Sequence, residues 1–440
     1  MRRLILITIL IASCIILKAE ILTLNEAKEI ALKNNPELLA EEHAKKSAKY
    51  DFWKSTLSLF PSVNLDGAYT EYKPELGMGS GLAADESRSY GYTISQPIFN
   101  GGKIWLGSRI QNDAAKIADA TYINKRLETI AKVESKYFSV LENQDLLETA
   151  QKDLQSSELQ LEIARVRYET GTLSKADYLQ LQSQKASKEV SLIQIENLYS
   201  ISKLALANFL QISSDYTLEK ISLDLYENYL NNFQSLNPEQ IDELISEVIE
   251  ISKEKNPSLK MAELSKTINK KSLLMAGGNF LPSMNLSYSK TWSKYDYQDD
   301  YEDSERLMLI ASLPIFPIAD NVAGFVKAKH DYRNSYYNYR SAEDGIELGL
   351  KSSVFNLVAS ARSVYATKKA LEFAEETYLQ MEERFRNNII TTSNLLDAEV
   401  MLTSSRNQYT KSIYYFLRAR SSLLQLMGVE DEQILMQYLK

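Results

Sequence analysis

The chain has 440 residues, of which 44% are hydrophobic, 25% charged and 10% aromatic, and its net charge is −8. That composition excludes a disordered chain and a multi-pass helical membrane protein, and the acidic balance excludes a general nucleic-acid partner. One cysteine rules out an intrachain disulfide, and two histidines, His43 and His330, rule out a multi-histidine metal site.

Arg2 and Arg3 precede an apolar stretch, Leu4 to Leu17, and Lys18-Ala19 follows it. A basic start, a short apolar core and a small residue at the cut site describe a signal peptide over residues 1–19. The run falls short of the roughly 20 residues a helical span needs. Ile11-Ala12-Ser13-Cys14 also resembles a bacterial lipoprotein processing box, with Cys14 as the lipidated residue. Cleavage after Ala19 and lipidation at Cys14 stay open. Both send the chain out of the cytoplasm.

Beyond residue 19 the sequence repeats itself. Asn35-Pro36-Glu37-Leu38 returns as Asn256-Pro257-Ser258-Leu259, and Phe60-Pro61-Ser62 returns as Leu281-Pro282-Ser283 at the same spacing. Pro97-Ile98-Phe99 returns as Pro314-Ile315-Phe316, and Arg167-Tyr168 as Arg384-Phe385, at a spacing four residues shorter. Ordered matches at a nearly fixed offset mark an internal duplication. The first repeat is read as 20–212, the inter-repeat segment as 213–255, the second repeat as 256–429 and the C-terminal tail as 430–440.

In the first repeat a helix over 37–60 is opened by Asn35 as its cap and Pro36 at its first position. Strands follow over 63–99, interrupted by a Gly-rich loop from Pro74 to Asp85. A long helix spans 103–169, a turn holds Gly171, and a helix returns over 174–211. The second repeat runs through a helix at 258–281, strands at 284–316, a long helix at 320–386 and a return helix at 391–428. The linking segment 213–255 reads as less regular.

Two patterns carry the fold. Val133, Val140, Leu147, Leu154, Leu161 and Tyr168 are seven apart, and so are Leu350, Leu357, Val364, Leu371, Tyr378 and Phe385. A sustained seven-residue spacing predicts helices packed lengthwise as in coiled coils. In the extended regions Met284, Leu286, Tyr288 and Trp292 alternate with Asn285, Ser287, Ser289 and Thr291, and Tyr90, Tyr92 and Ile94 with Gly91, Thr93 and Ser95. One apolar and one small polar face, over lengths near the roughly 9–11 residues of a tilted membrane strand, predict a transmembrane β-barrel. Four strands in one chain cannot close a barrel, and exposed edges are not tolerated in lipid. Two copies would give a filled eight-stranded barrel and three a wider twelve-stranded one, so a conduit favours three.

With these patterns in place, the sequence resembles the TolC-like outer-membrane efflux proteins. The resemblance runs from Leu22-Thr23-Leu24-Asn25-Glu26-Ala27 to Leu423-Leu424-Gln425-Leu426-Met427-Gly428. It rests on the early Asn-Pro, Phe60-Pro61-Ser62, Gln96-Pro97-Ile98-Phe99-Asn100-Gly101-Gly102 and Arg167-Tyr168-Glu169-Thr170-Gly171. It implies a mixed α and β membrane protein: a homotrimer with a twelve-strand outer-membrane β-barrel continued by a twelve-helix coiled-coil tunnel. It implies a passive channel in the outer-membrane lipid, extending into the periplasm. Such a channel serves a tripartite efflux pump or a type I secretion system, with a periplasmic adaptor protein and an inner-membrane transporter as partners. It implies no cofactor and no enzymatic activity. The gated periplasmic entrance falls at the two hairpin tips, 167–179 and 384–397. Asp177, Asn394 and Asp397 are the pore candidates, Asn394 departing from the acidic residue usual there. Arg167, Tyr168, Gly171, Arg384, Phe385 and Asn388 are the adaptor-contact candidates.

The residues themselves show little chemistry. His43 and His330 lie in charged helical surroundings and read as exposed positions, so no histidine is placed for hydrolysis. Gly101-Gly102 reads as a strand-to-helix turn, since Lys103 is not followed by Ser or Thr as a phosphate loop requires. The acidic run from Asp296 to Glu305 lacks the glycine and spacing of a calcium loop and reads as a surface loop. Ser174 and Asp177 also have the spacing of a helix cap, which competes with a pore role for Asp177. Arg384 and Arg386 stand ready to brace the second tip. An outer-membrane enzyme and a secreted coiled-coil scaffold are the alternative readings. The missing catalytic constellation opposes the first and the amphipathic strands oppose the second.

Overall fold

The computed structural model describes residues 21–71, 86–221, 224–313, 315–316, 318–387 and 389–430. The signal segment with Cys14, the whole Gly-rich loop from Pro74 to Asp85, Pro314, Asn388 and residues 431–440 lie outside them. In chain order the elements are β1 (Ile21–Leu22), α1 (Leu24–Asn34), α2 (Pro36–Leu57), β2 (Ser62–Glu71), β3 (Glu86–Asn100), α3 (Lys103–Glu169) and α4 (Lys175–Leu210). These are followed by β4 (Thr217–Leu218), α5 (Asp224–Ser235), α6 (Pro238–Lys255) and α7 (Pro257–Gly277). The chain closes with β5 (Ser283–Tyr295), β6 (Glu302–Ser312), α8 (Ile318–Arg386) and α9 (Thr392–Met427). Among the described residues no helix is long and apolar enough to cross a membrane.

The helix starts follow local chemistry. Asn35 accepts hydrogen bonds from the backbone N–H groups of Glu37 and Leu38 at 3.0 and 3.1 Å, satisfying donors that the first turn leaves free. Thr23 and Glu26 cap α1 reciprocally, and Asn237 with Gln240 does the same for α6. α3 is a single helix of 67 residues and α8 one of 69.

Two compact units are present. The first draws on described residues within 1–39, 124–256 and 346–440. Its core is helical: Val133, Phe138, Leu206, Leu357, Phe416 and Leu417 are all at or below 1% exposed. The seven-spaced positions Val133, Val140, Leu350, Leu357, Val364 and Phe385 are buried, which is why the spacing persists. The segment 213–255 is more regular than the sequence reading has it. α6 buries Ile241, Leu244, Ile245 and Val248 at the spacing of one helix face. β1 and β4 form a short parallel pair, Ile21 with Thr217 and Leu22 with Leu218. The Tyr137 hydroxyl stands 2.9 Å from the Leu22 carbonyl and 3.0 Å from that of Glu219, donating to one or the other. Burial pushes that phenol well above its ordinary pKa.

The second unit draws on described residues within 40–123 and 257–345. It holds an antiparallel sheet in the order β2-β3-β5-β6. Asp66 pairs with Gly91, Gly91 with Thr291 and Thr291 with Ser304. The register shifts between Pro97 and Phe99, where proline offers no N–H to the ladder. Val63, Leu65, Tyr90, Tyr92, Ile94, Tyr288, Trp292 and Leu307 share one face, with the Tyr90 and Trp292 rings stacked at 5.4 Å. Asn64, Thr93, Ser95, Ser287, Ser289 and Thr291 share the other. Every residue of β2 and β6 is exposed. At the turn from β3 into α3, Gly101 has φ +56°. A Cβ there would lie 2.2 Å from the Gly278 carbonyl oxygen, so only glycine fits.

Candidate functional site

Each long helix turns back through a tight hairpin. At the first tip α3 ends at Glu169 and Gly171 takes φ +75°, a conformation that L side chains rarely adopt. The Arg167 carbonyl accepts the N–H groups of Thr172 and Leu173 at 2.8 and 3.1 Å, closing the helix end. Ser174 then opens α4, its hydroxyl accepting the Asp177 N–H at 3.1 Å and donating to the Asp177 carboxylate at 2.5 Å. Asp177 therefore serves the cap through the serine hydroxyl rather than by reaching a backbone N–H. At the second tip Thr391 and Asn394 repeat the arrangement, with Thr391 Oγ1 donating to Asn394 Oδ1 at 2.6 Å.

The two tips touch within the helical unit. The Arg167 guanidinium lies 5.1 Å from the Phe385 ring centre and donates to the Phe385 carbonyl at 3.3 Å. Tyr168 stacks on Tyr178 with centroids 5.3 Å apart. Ala164, Leu181 and Leu396 form a small buried cluster beneath them. Phe385 is buried, whereas Tyr168, Gly171, Arg384 and Asp397 are exposed. Arg386 pairs with Glu382 one turn back at 2.7 Å, so it braces its own helix rather than the neighbouring tip.

Further along the same helices a polar network joins all four. Asp153 on α3 accepts from Thr403 of α9 at 2.7 Å, and Lys188 of α4 donates to the same hydroxyl oxygen at 3.1 Å. Lys188 Nζ also stands 3.3 Å from Glu399 and 3.7 Å from Asp153. Arg406 reaches Asp153 at 3.6 Å and Glu375 of α8 at 3.4 Å. Gln160 donates to the Tyr378 hydroxyl at 2.8 Å. Burial pushes the Glu399 carboxyl above the usual carboxylate range, against the pull of Lys188. This network borders a polar groove of about 550 Å³. The sequence reading passed over it, although a carboxylate at 399 among Leu395, Leu396, Ala398 and Leu402 is a charge on an apolar helix face.

The arrangement offers paired charges and hydroxyls bonded to carboxylates. His43 and His330 are both exposed. Among the described residues no group of three or more His, Cys, Asp or Glu is placed to hold a metal ion.

Two stretches of the chain, 28–210 and 248–429, match the profile of the family described as outer membrane efflux protein. The chain belongs to the outer membrane efflux protein family. Membership places it in the bacterial outer membrane, extending into the periplasm. It is 24% identical to the outer membrane protein TolC of Salmonella enteritidis, over 94% of this chain and 84% of that one. Its fold matches the outer membrane protein VceC of Vibrio cholerae with a TM-score of 0.76 at 17% identity, covering 92% of this chain and 96% of that one. It matches CusC, a protein described as undergoing conformational changes that accompany folding and transmembrane channel formation, with a TM-score of 0.80 at 15% identity, covering 92% of each. The family is one of channel proteins, and the helices and four-stranded sheet of this chain are its fold.

Proposed function

We propose that three copies of this chain form a passive outer-membrane exit duct with a gated periplasmic entrance. The duct serves a tripartite efflux pump or a type I secretion system. One observation carries the reading: the sheet has an apolar face, a small polar face and two open edges, so one copy cannot satisfy its backbone in lipid. Three copies supply twelve strands and a lumen wide enough for cargo. The helices carry matching needs. Val190, Ile193 and Ile201 on α4 and Leu348, Phe355 and Phe373 on α8 are exposed in the single chain.

In this reading the two repeats contribute equivalent helices to a twelve-helix tunnel, and the hairpin tips form its entrance. Asp397 lines the constriction, with Asn394 and Asp177 nearer the helix caps. Tyr168, Gly171, Arg384 and Asn388 offer the adaptor its contact. Arg167 and the buried Phe385 hold the two tips together behind that surface. The inner-membrane transporter is met through the adaptor, and the protein performs no chemistry of its own.

Three copies of Asp397 near a threefold axis favour cations and bind divalent ions. Asp397→Ala is expected to lower cation selectivity and relieve divalent block in planar bilayers. Unchanged selectivity and block would remove Asp397 from the pore. Native mass measurement in detergent tests the assembly directly, and a conducting monomer or dimer would sink the trimer.

A further inference from the structure

The four helices that continue the sheet stand side by side in the order of the strands. Thr56 of α2 meets Ser108 of α3 at 3.0 Å. Thr121 of α3 meets Met261 of α7 at 3.1 Å, and the Lys266 ammonium of α7 lies 3.7 Å from the centre of the Tyr339 ring on α8. The order α2-α3-α7-α8 thus repeats the sheet order β2-β3-β5-β6. α3 and α7 are flanked on both sides and keep two free faces. At 3.6 residues per turn, the flanking contacts fix which residues lie on each face of this wall. One face carries Ser55 of α2, Gln111 of α3, Asn269 and Ser272 of α7 and Asp331 of α8. It is small and polar, as one face of the sheet is.

The opposite face changes character over one helical turn. Nearest the strands it holds Trp105 of α3, Leu274 of α7 and Val326 of α8, all exposed. One turn further from the strands it holds Arg109, Lys270 and Lys329, with Arg333 a turn beyond, and these are exposed as well. α7 runs toward the sheet while α3 and α8 run away from it. The step from apolar to basic is therefore forward in sequence on α3 and α8 and backward on α7, so three unrelated stretches of chain converge on one tier. The Arg109 guanidinium lies 4.9 Å from the Trp105 ring centre. Among the described residues none of these four cations has a carboxylate partner. Asp113, a carboxylate at that level, is buried and bonded to Lys271. Lys329 and Arg333 stand four apart on one helix face, a like-charge pair that destabilises a helix unless an anion joins it.

We propose that this tier is a basic collar that binds the phosphate groups of anionic phospholipids in the leaflet facing the periplasm. Its position argues for that partner. The chain belongs to the outer membrane, where the apolar face of the sheet meets hydrocarbon. Trp105, Leu274 and Val326 prolong that face past the last strand residues. Tryptophan settles at the level of the headgroups. A long basic side chain one turn beyond it, about 5 Å along the helix, reaches the phosphates while its stem stays on apolar surface. Charge complementarity selects anionic headgroups over zwitterionic ones. Arg109 and Lys270 lie on the two internal helices, so one chain builds the site. The inference rests on the duct reading in one respect, that the small polar face is the interior.

Electron spin resonance tests the collar on the full chain reconstituted in phosphatidylcholine vesicles at low salt. Spin-labelled phosphatidylglycerol is expected to be held at the protein surface in preference to spin-labelled phosphatidylcholine, and the preference is expected to collapse in about 1 M salt. Arg109→Gln with Lys270→Gln is expected to lower it by up to about fivefold for each cation removed. Lys270→Arg is expected to keep it, and Lys327→Gln, on the interior face, to leave it unchanged. An unchanged preference in the double variant, or an equal loss in Lys327→Gln, overturns the collar. Displacement of the labelled lipid by millimolar inorganic phosphate makes the tier a site for free anions and overturns the lipid as its partner. Nitroxides at Leu274→Cys and Gln111→Cys keep the two readings apart. Lipid-soluble oxygen is expected to reach the first and an aqueous nickel chelate the second. The reverse would mean that the faces are exchanged and overturns the duct. The expected accessibility without a lipid preference overturns the collar alone.

Discussion

The helical unit and the sheet solve the problem of burial in opposite ways. The helical unit encloses Phe138, Leu206, Leu357, Phe416 and Leu417 within a single chain. The sheet encloses nothing, and its edge strands are exposed along their whole length. The helical core joins helices from both repeats, far apart in sequence, within one chain. In the proposed trimer, lipid would cover the apolar face of the four-stranded sheet and other copies would cover its edges. In that assembly one chain would carry a part whose core is enclosed within the chain and a part completed only by lipid and other copies. The two should respond differently to mutation.

The largest effect is expected in the self-sufficient part. Phe416→Ala, at 1% exposure, should cost about 3–5 kcal/mol, read as the thermal midpoint of the helical transition in detergent. If that midpoint stays put, the helical unit does not depend on its own core. The next effect belongs to the sheet and should depend on its face. Leu309→Arg, on the apolar face, should oppose insertion by about 2–4 kcal/mol. Ser287→Arg, on the polar face, should insert normally. The fraction folded in lipid vesicles separates them, and equal losses would erase the distinction between the faces.

Smaller effects sharpen the picture of the hairpins. Ser174→Ala removes the cap of α4 and should cost about 1 kcal/mol. Asp177→Ala should cost less, because the backbone bond is made by the serine hydroxyl. Both are checked by hydrogen exchange of the first turn of α4. The smallest effect is one of pH. The Glu399 carboxyl is raised by burial, and Lys188, Asp153, Tyr378 and Arg406 face it or its immediate partners from the four helices. A raised carboxyl costs stability above its folded-state pKa, and the cost is lifted as pH falls through that value toward the unfolded one. Glu399→Gln should therefore be more stable than the natural chain near neutral pH, with the gap narrowing in mild acid. A gap independent of pH would mean that Glu399 does not titrate in that window.

Much of this was legible in the sequence, for reasons that differ by element. The long helix over about 103–169 was readable in its second half because Val133 and its seven-spaced partners repeat without a break, and Gly171 ends them. The strands were readable because serine and tyrosine alternate on opposite faces. α6 carries the apolar face Ile241, Leu244, Ile245 and Val248, yet its segment read as irregular because no counterpart elsewhere in the chain reinforced it. The two-residue pairing of β1 with β4 has no periodicity at all. Of the tip residues, sequence placed Asp177 at a helix cap but neither Asn394 at the equivalent one nor Arg167 on Phe385, since the latter contact joins helices more than 200 residues apart. The network of Asp153, Lys188 and Glu399 was hidden for the same reason. A charge on an apolar helix face signals burial only once its partners are known.

The meeting of Gly101 and Gly278 has a consequence for how this protein can change. A Cβ on Gly278 would fall 2.3 Å from the Gly101 carbonyl oxygen, as one on Gly101 would collide with Gly278. The two backbones occupy each other's side-chain space, so the positions behave as one heritable unit. Most damaging substitutions can be rescued by shrinking a neighbour. Here the neighbour is already the smallest residue there is, and no second-site suppressor of that kind exists.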